Sequence, residues 1–117
     1  MKKILVADDE MSIRLLYSEE LKDEGYEVYL AANGREALEI VDQIPLDLVI
    51  LDIKMPEMDG IDALRQIKEK RPELPVVLST AYGEYKQDFA TWASDEYLVK
   101  SSDLEDLKKV VKRYLKE

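Results

Sequence analysis

Short apolar runs alternate along the chain with longer stretches in which apolar residues recur every three or four positions. Lys3–Ala7 (KILVA) reads as a buried strand. Ser12–Glu24 has helical spacing, with Ile13, Leu16, Tyr17 and Leu21 on one face and Gly25 as its stop. Glu27–Ala31 is a second strand, and Asn33 caps a helix over Gly34–Gln43 that turns Ala37, Leu38 and Val41 inward. Leu48–Leu51 (LVIL) is apolar without alternation, the mark of a strand covered on both faces. Ile61–Lys70 is a helix with Ile61, Leu64, Ile67 and Lys68 at its spacing and Pro72 just beyond. Val76–Ser79 and Glu96–Val99 are strands, with a weaker helix over Lys86–Ala93 between them. Ser102–Lys116 closes the chain as a helix with Leu104, Leu107, Val110, Val111, Tyr114 and Leu115 on one face. It opens with Ser102-Asp103-Leu104-Glu105, a capping box in which serine and glutamate satisfy each other's backbone donors.

Five strands therefore alternate with five helices. Strand–helix–strand units require a parallel sheet with right-handed crossovers. The expected architecture is an α/β, doubly wound five-stranded parallel sheet in the order 2-1-3-4-5, with the five helices on both faces, a flavodoxin-like fold. In that order strands one and three are neighbours, and ligands bind beyond the strand C-termini where the strand order reverses. With 117 residues and no repeat, low-complexity tract or linker, residues 1–117 read as one domain.

Composition narrows the chemistry. The net charge of −9 opposes a phosphate backbone, which argues against direct nucleic-acid binding. There is no cysteine, so disulfides, thiolate metal sites and thiol nucleophiles are excluded. There is no histidine either, which removes the commonest general base and metal ligand. Any metal must be held by oxygen, pointing to magnesium, manganese or calcium. No apolar run is long enough to span a membrane. The apolar start ends at once in Asp8, Asp9 and Glu10, unlike a signal peptide, and a cytoplasmic location is expected.

The expected topology gathers the chemically distinctive residues. Asp8 and Asp9 end strand one, and Asp52 ends strand three. Carboxylates held this close repel unless a cation joins them, and a hard divalent ion with oxygen ligands resolves the conflict. Ser79-Thr80 end strand four and Val99-Lys100 end strand five, so a hydroxyl and an ammonium face the carboxylates. That set suits a phosphoryl acceptor site. Singly, each residue has a plainer role: a strand-end aspartate as a turn or cap, a lysine as a solvated charge, Ser-Thr as a turn. Five of them at one edge of one sheet are harder to explain in that way.

These residues also carry a family resemblance. VADDE at Val6–Glu10, DLVILDIKMPEMDG at Asp47–Gly60, LSTAYGE at Leu78–Glu84 and DEYLVK at Asp95–Lys100 resemble the response-regulator receiver domains of two-component signalling, in one register over essentially the whole chain. The resemblance implies a phosphorylation-activated switch. Asp52 would be the phosphoacceptor, with Mg2+ (or Mn2+) as cofactor. Asp9 would ligate the metal directly, Asp8 through water, and the Lys54 main-chain carbonyl would complete the protein ligands. Thr80 would hydrogen-bond the phosphoryl group, Lys100 would pair with it, and Tyr97 would be the aromatic switch that follows Thr80. The donor would be a histidine kinase or histidine phosphotransfer protein. The reader would be a downstream protein target or a fused output domain, and no membrane is implied. A kinase would dock on the first helix through Ile13, Arg14 and Tyr17, and the output face would run through Tyr97 and Lys108. Beyond its own phosphotransfer and slow autodephosphorylation, no enzyme activity is implied.

Two departures from the pattern stand out. Receivers usually have proline after the lysine of strand five, where this chain has Ser101, so a trans Lys100–Ser101 bond is expected. Ala93-Ser94 replaces the usual Gly-Ala, and a short or irregular helix over Lys86–Ala93 is expected. Other functions fit less well. An aspartate-nucleophile phosphatase would need a second aspartate where Lys54 stands. A flavodoxin would cradle a phosphate where Asp8-Asp9-Glu10 would repel it. A phosphorylation-independent, receiver-like adaptor is the remaining alternative.

Overall fold

The computed structural model describes residues 1–53, 55, 58, 60–80, 95–99 and 104–115. Its elements are β1 (Lys3–Ala7), α1 (Met11–Asp23), β2 (Glu27–Ala31), α2 (Gly34–Gln43), β3 (Leu48–Asp52), α3 (Gly60–Lys70), β4 (Val76–Thr80), β5 (Glu96–Val99) and α4 (Glu105–Leu115). The strands form one parallel sheet in the order β2-β1-β3-β4-β5. This is the flavodoxin-like α/β arrangement expected of the pattern. The weaker helix over 86–93, the Ser102 capping box and the Lys100–Ser101 bond lie outside the described residues.

The sheet separates two apolar layers. Leu5, Ala7, Val49, Leu51, Val76 and Leu78 point toward α2 and α3. Ile4, Val6, Leu48, Ile50 and Val77 point toward α1 and α4. Every residue of β3 is buried, which is why its sequence shows no alternation. Along α4, Leu107, Val110, Val111 and Leu115 are buried, and Leu104 and Tyr114 pack at the margin, as their spacing predicts.

Local chemistry sets the helix ends. The Asn33 side chain accepts from the Glu36 backbone N–H at 2.9 Å, the expected cap of α2. Gly25 takes a φ of 95°, and α1 ends in a Schellman motif: Tyr26 N–H donates to Leu21 O and Gly25 N–H to Lys22 O. Tyr26 and Leu21 complete the motif by packing in the same core. α1 differs from expectation on its inner face. Leu16 is exposed and Ser18 is buried, because Ile13, Tyr17 and Leu21 lie one turn apart and Leu16 sits about 100° off that line.

Polar contacts fasten the N-terminal ends of β4 and β5 to the helices. Lys68 stands at the spacing of the buried face of α3, but its ammonium reaches past the core to Leu74 O (2.8 Å) and the Asp95 carboxylate (2.6 Å). Tyr114 donates its hydroxyl to Asp95 O at 2.6 Å. On the other side of α4, Lys108 pairs with Glu20 of α1 at 2.9 Å. Burial, with Glu96 nearby, raises the Tyr114 pKa, and the Glu20 hydrogen bond raises that of Lys108. Both groups hold their proton more tightly when folded. Their contribution is therefore complete below the unfolded values near pH 10 and is lost as pH rises through the folded ones. Melting temperature is expected to fall above about pH 10, and Tyr114→Phe to make that fall shallower. Thermal melts with the same alkaline slope in both proteins would rule out Tyr114 as a contributor.

Candidate phosphoacceptor site

The C-terminal ends of β1 and β3 build the site. β1 and β3 run in register to the pair Ala7 and Leu51, so the next residues, Asp8 and Asp52, stand side by side. Alternation puts both on the α1/α4 side of the sheet, in line with Val6 and Ile50. Both are buried, at 2% and 6% exposure. Two carboxylates this close in a buried position call for a cation or hydrogen-bond donors.

The chain after β1 turns sharply. Asp8 N–H still pairs with Ala31 O at 3.0 Å, as if β1 continued. The Asp8 carboxylate then accepts from the Glu10 backbone N–H at 3.0 Å, which folds the acidic triplet back on itself. Asp8, Asp9 and Glu10 each offer a carboxylate oxygen within 4.8 Å of the others, with Asp9 and Glu10 exposed. That group differs from the expected one in containing Glu10 rather than Asp52. Its all-oxygen donor set, beside a second buried carboxylate, fits a hard divalent ion such as Mg2+. Glu10 carried a sequence signal, its place in the acidic run, but nothing in its spacing marked it as a donor.

β3 ends at Asp52, which pairs with Ser79 of β4. The turn after it is closed by the Gly60 N–H donating to Ile53 O at 2.6 Å. Gly60 lies against the backbone of Asp52: a Cβ there would stand 2.7 Å from the Asp52 carbonyl carbon and 2.8 Å from Ile53 Cα. The need for glycine at 60 is one of space. Met55 and Met58 turn into the α2/α3 core and anchor the same segment.

Thr80 is the last residue of β4, in register with Val99, and Tyr97 lies on β5 opposite Leu78. The backbone thus brings Asp8, Asp52 and Thr80 to one edge of the sheet. The side chains of Thr80 and Tyr97, and all of Lys54 and Lys100, lie outside the described residues. Three residues of the expected docking surfaces make contacts within the chain. Tyr17 is buried in the core, where its aromatic ring serves packing. Arg14 donates from Nη1 to Asp8 O at 2.7 Å, so its guanidinium belongs to the acidic turn. Lys108 reaches across to α1 through its bridge to Glu20.

Comparison with known proteins agrees with this construction. The response regulator receiver domain family matches residues 4–112. The chain is 40% identical over 116 residues to Sporulation initiation phosphotransferase F of Bacillus subtilis, covering 97% of this chain and 94% of that one. Response regulator protein TrrA of Thermotoga maritima, crystallised with Mg2+ and BeF, superposes with a TM-score of 0.95 at 47% identity, covering 97% of this chain and 99% of that one. The chain matched in the complex of histidine kinase ThkA with TrrA gives a TM-score of 0.93 at 48% identity, with 98% and 99% covered. Some curated relatives are longer, and this chain spans about a quarter of their length. The chain belongs to the response regulator receiver domain family, whose members are phosphorylation-activated signalling switches that use Mg2+. Among the described residues, no helix is long and apolar enough to cross a membrane.

Proposed function

We propose that Asp52 is the phosphoacceptor of this switch and that the acidic turn after β1 holds its magnesium ion. The observation that carries this reading is the register of β1 and β3, which sets two buried carboxylates side by side at the switch point of the sheet. An Asp52 carboxylate oxygen attacks the phosphorus of a phosphohistidine. The P–N bond breaks as the O–P bond forms, and its electron pair returns to the imidazole, which takes up a proton. A small acyl phosphate can serve instead, losing a carboxylate. Magnesium at the site would supply positive charge opposite the phosphoryl oxygens. Asp9 and Asp8 would hold it, with Asp52 itself and the Lys54 carbonyl. Thr80 would donate a hydrogen bond to the phosphoryl group, Lys100 would pair with it, and Tyr97 would follow Thr80 as the switch. The expectation of a fifth helix between β4 and β5 belongs to the same reading.

Metal binding has a direct readout. Magnesium relieves repulsion among the site carboxylates, so millimolar Mg2+ should raise the melting temperature by several degrees through mass action. Asp9→Ala should remove most of that gain. Identical melting curves for the parent with and without the ion would count against the site.

The partner is expected to be a histidine kinase, as TrrA has ThkA. With Tyr17 buried and Arg14 bound to the acidic turn, the exposed part of α1 beside the site includes an apolar pair. Met11 and Leu15, one turn apart, are 64% and 55% exposed. Leu15→Asp should slow phosphotransfer from a kinase at least ~10-fold, the size of about 1.4 kcal/mol lost at a docking contact. Labelling by a small acyl phosphate should be unaffected. Equal loss of both rates would place Leu15 in the site's own architecture rather than in docking.

A further inference from the structure

Among the described residues, one buried side-chain polar atom lacks a hydrogen-bond partner: Oγ of Ser79. Ser79 is 1% exposed and is the cross-strand partner of Asp52. Paired residues on parallel strands stand about 4.8 Å apart and point to the same face. Val77, two residues before Ser79, and Ile50, two before Asp52, both lie in the α1/α4 core layer. Ser79 and Asp52 therefore share that face, with Asp8 on the next strand over. A buried hydroxyl without a partner opposes folding, and alanine would fill this position without that cost. The hydroxyl gains a purpose if a partner arrives in another state of the site. Asp52, its neighbour, already has an interaction in this state.

We propose that Ser79 is a positioning residue for the phosphorylated aspartate, its hydroxyl donating a hydrogen bond to Asp52 once the phosphoryl group is in place. The inference rests on Asp52 being the acceptor. On phosphoryl transfer, one carboxylate oxygen of Asp52 becomes the bridge to phosphorus and the other becomes a localised carbonyl. That carbonyl oxygen accepts from Ser79 Oγ. No bond to Ser79 is made or broken, and its proton stays on Oγ. The unmade hydrogen bond disfavours the unphosphorylated state and the made one favours the phosphorylated state, so one residue biases the switch in both.

Beryllofluoride with Mg2+ serves as the phosphoryl probe on the full chain. Melting temperature with and without the probe, and probe affinity by calorimetry, are compared for the parent, Ser79→Ala and Asp52→Asn. Ser79→Ala is expected to melt higher than the parent without the probe and to bind it ~10-fold more weakly, equivalent to about 1.4 kcal/mol. A purely structural role predicts equal gains in melting temperature with and without the probe and an unchanged affinity, and that result overturns the proposal. Asp52→Asn should bind no probe. If it binds as well as the parent, or the parent binds none, the acceptor assignment itself falls and the role of Ser79 with it. Binding lost in Asp52→Asn but unchanged in Ser79→Ala overturns the role of Ser79 alone.

Discussion

Asp52→Asn is expected to abolish phosphorylation by kinase and by small acyl phosphates alike, while leaving the fold intact. The amide has the shape of the carboxylate but no anionic oxygen to attack phosphorus. Asp8 and Asp9 are the nearest alternative nucleophiles, and their place in the acidic turn works against them. Asp8 is buried, with one oxygen committed to the Glu10 N–H, and Asp9 is exposed to solvent. Electrostatics argues that folding survives. Two carboxylates about 5 Å apart repel by roughly 3 kcal/mol at an effective dielectric of ~20, and the substitution removes that term. The metal-free melting temperature should therefore not fall, and the response to Mg2+ should shrink because one anionic donor is gone. Intact-mass spectra after incubation with Mg2+ and a small acyl phosphate provide the readout. A mutant that still gains a phosphoryl group would move the acceptor to another carboxylate. A parent that gains none from any donor, yet still binds a partner protein, would favour the phosphorylation-independent adaptor.

What the chain reveals in advance and what it conceals divide along the reach of each interaction. Periodicity and capping are local. The continuous burial of β3, the stop at Gly25 and the Asn33 cap could all be read directly, because each depends on residues a few positions apart. The gathering of Asp8 and Asp52 was legible too, although they are far apart in sequence, since topology rules carry strand ends to a common edge. Side-chain direction beyond the strand ends was not. Arg14 has the spacing of an exposed helix residue, yet an acceptor six residues before it, the Asp8 carbonyl, captures its guanidinium. Lys108 reads as a free cation on a helix surface, but Glu20 of another helix comes within 2.9 Å. Leu16 matched an apolar spacing from Ile13, and only the angle at which α1 lies on the sheet decides that Ser18 is covered instead. The unpaired Ser79 hydroxyl is likewise a property of packing, invisible in a strand of ordinary apolar character.

Gly60→Ala shows how a non-local contact turns a small change into a large effect. From the chain alone, glycine after Met58-Asp59 reads as a turn residue that supplies an unusual backbone angle. Among the described residues, however, the positive-φ glycine is Gly25, and Gly60 is the first residue of α3. Alanine would satisfy a helical backbone at that point and even favour it. Its methyl group would instead fall well inside van der Waals contact of the Asp52 carbonyl oxygen and 2.8 Å from Ile53 Cα. The obstruction is main chain, so no side-chain rotation can relieve it. Either α3 backs away, breaking the 2.6 Å Gly60 N–H to Ile53 O bond, or β3 yields at Asp52. Overpacking of this kind costs about 3 kcal/mol or more, at the upper end of the usual range. For a chain of this length that is a fall of roughly 10–15 °C in melting temperature. Phosphorylation should fall as well, because the displaced atoms belong to Asp52, the proposed acceptor. Gly25→Ala supplies the comparison: it strains a left-handed turn with open space around it, at the opposite end of the sheet from Asp52. Both variants should lose stability, but only Gly60→Ala should lose the rate of labelling by a small acyl phosphate at a temperature where both remain folded. Equal labelling rates in the two variants would separate Gly60 from the acceptor and leave it a residue of packing alone.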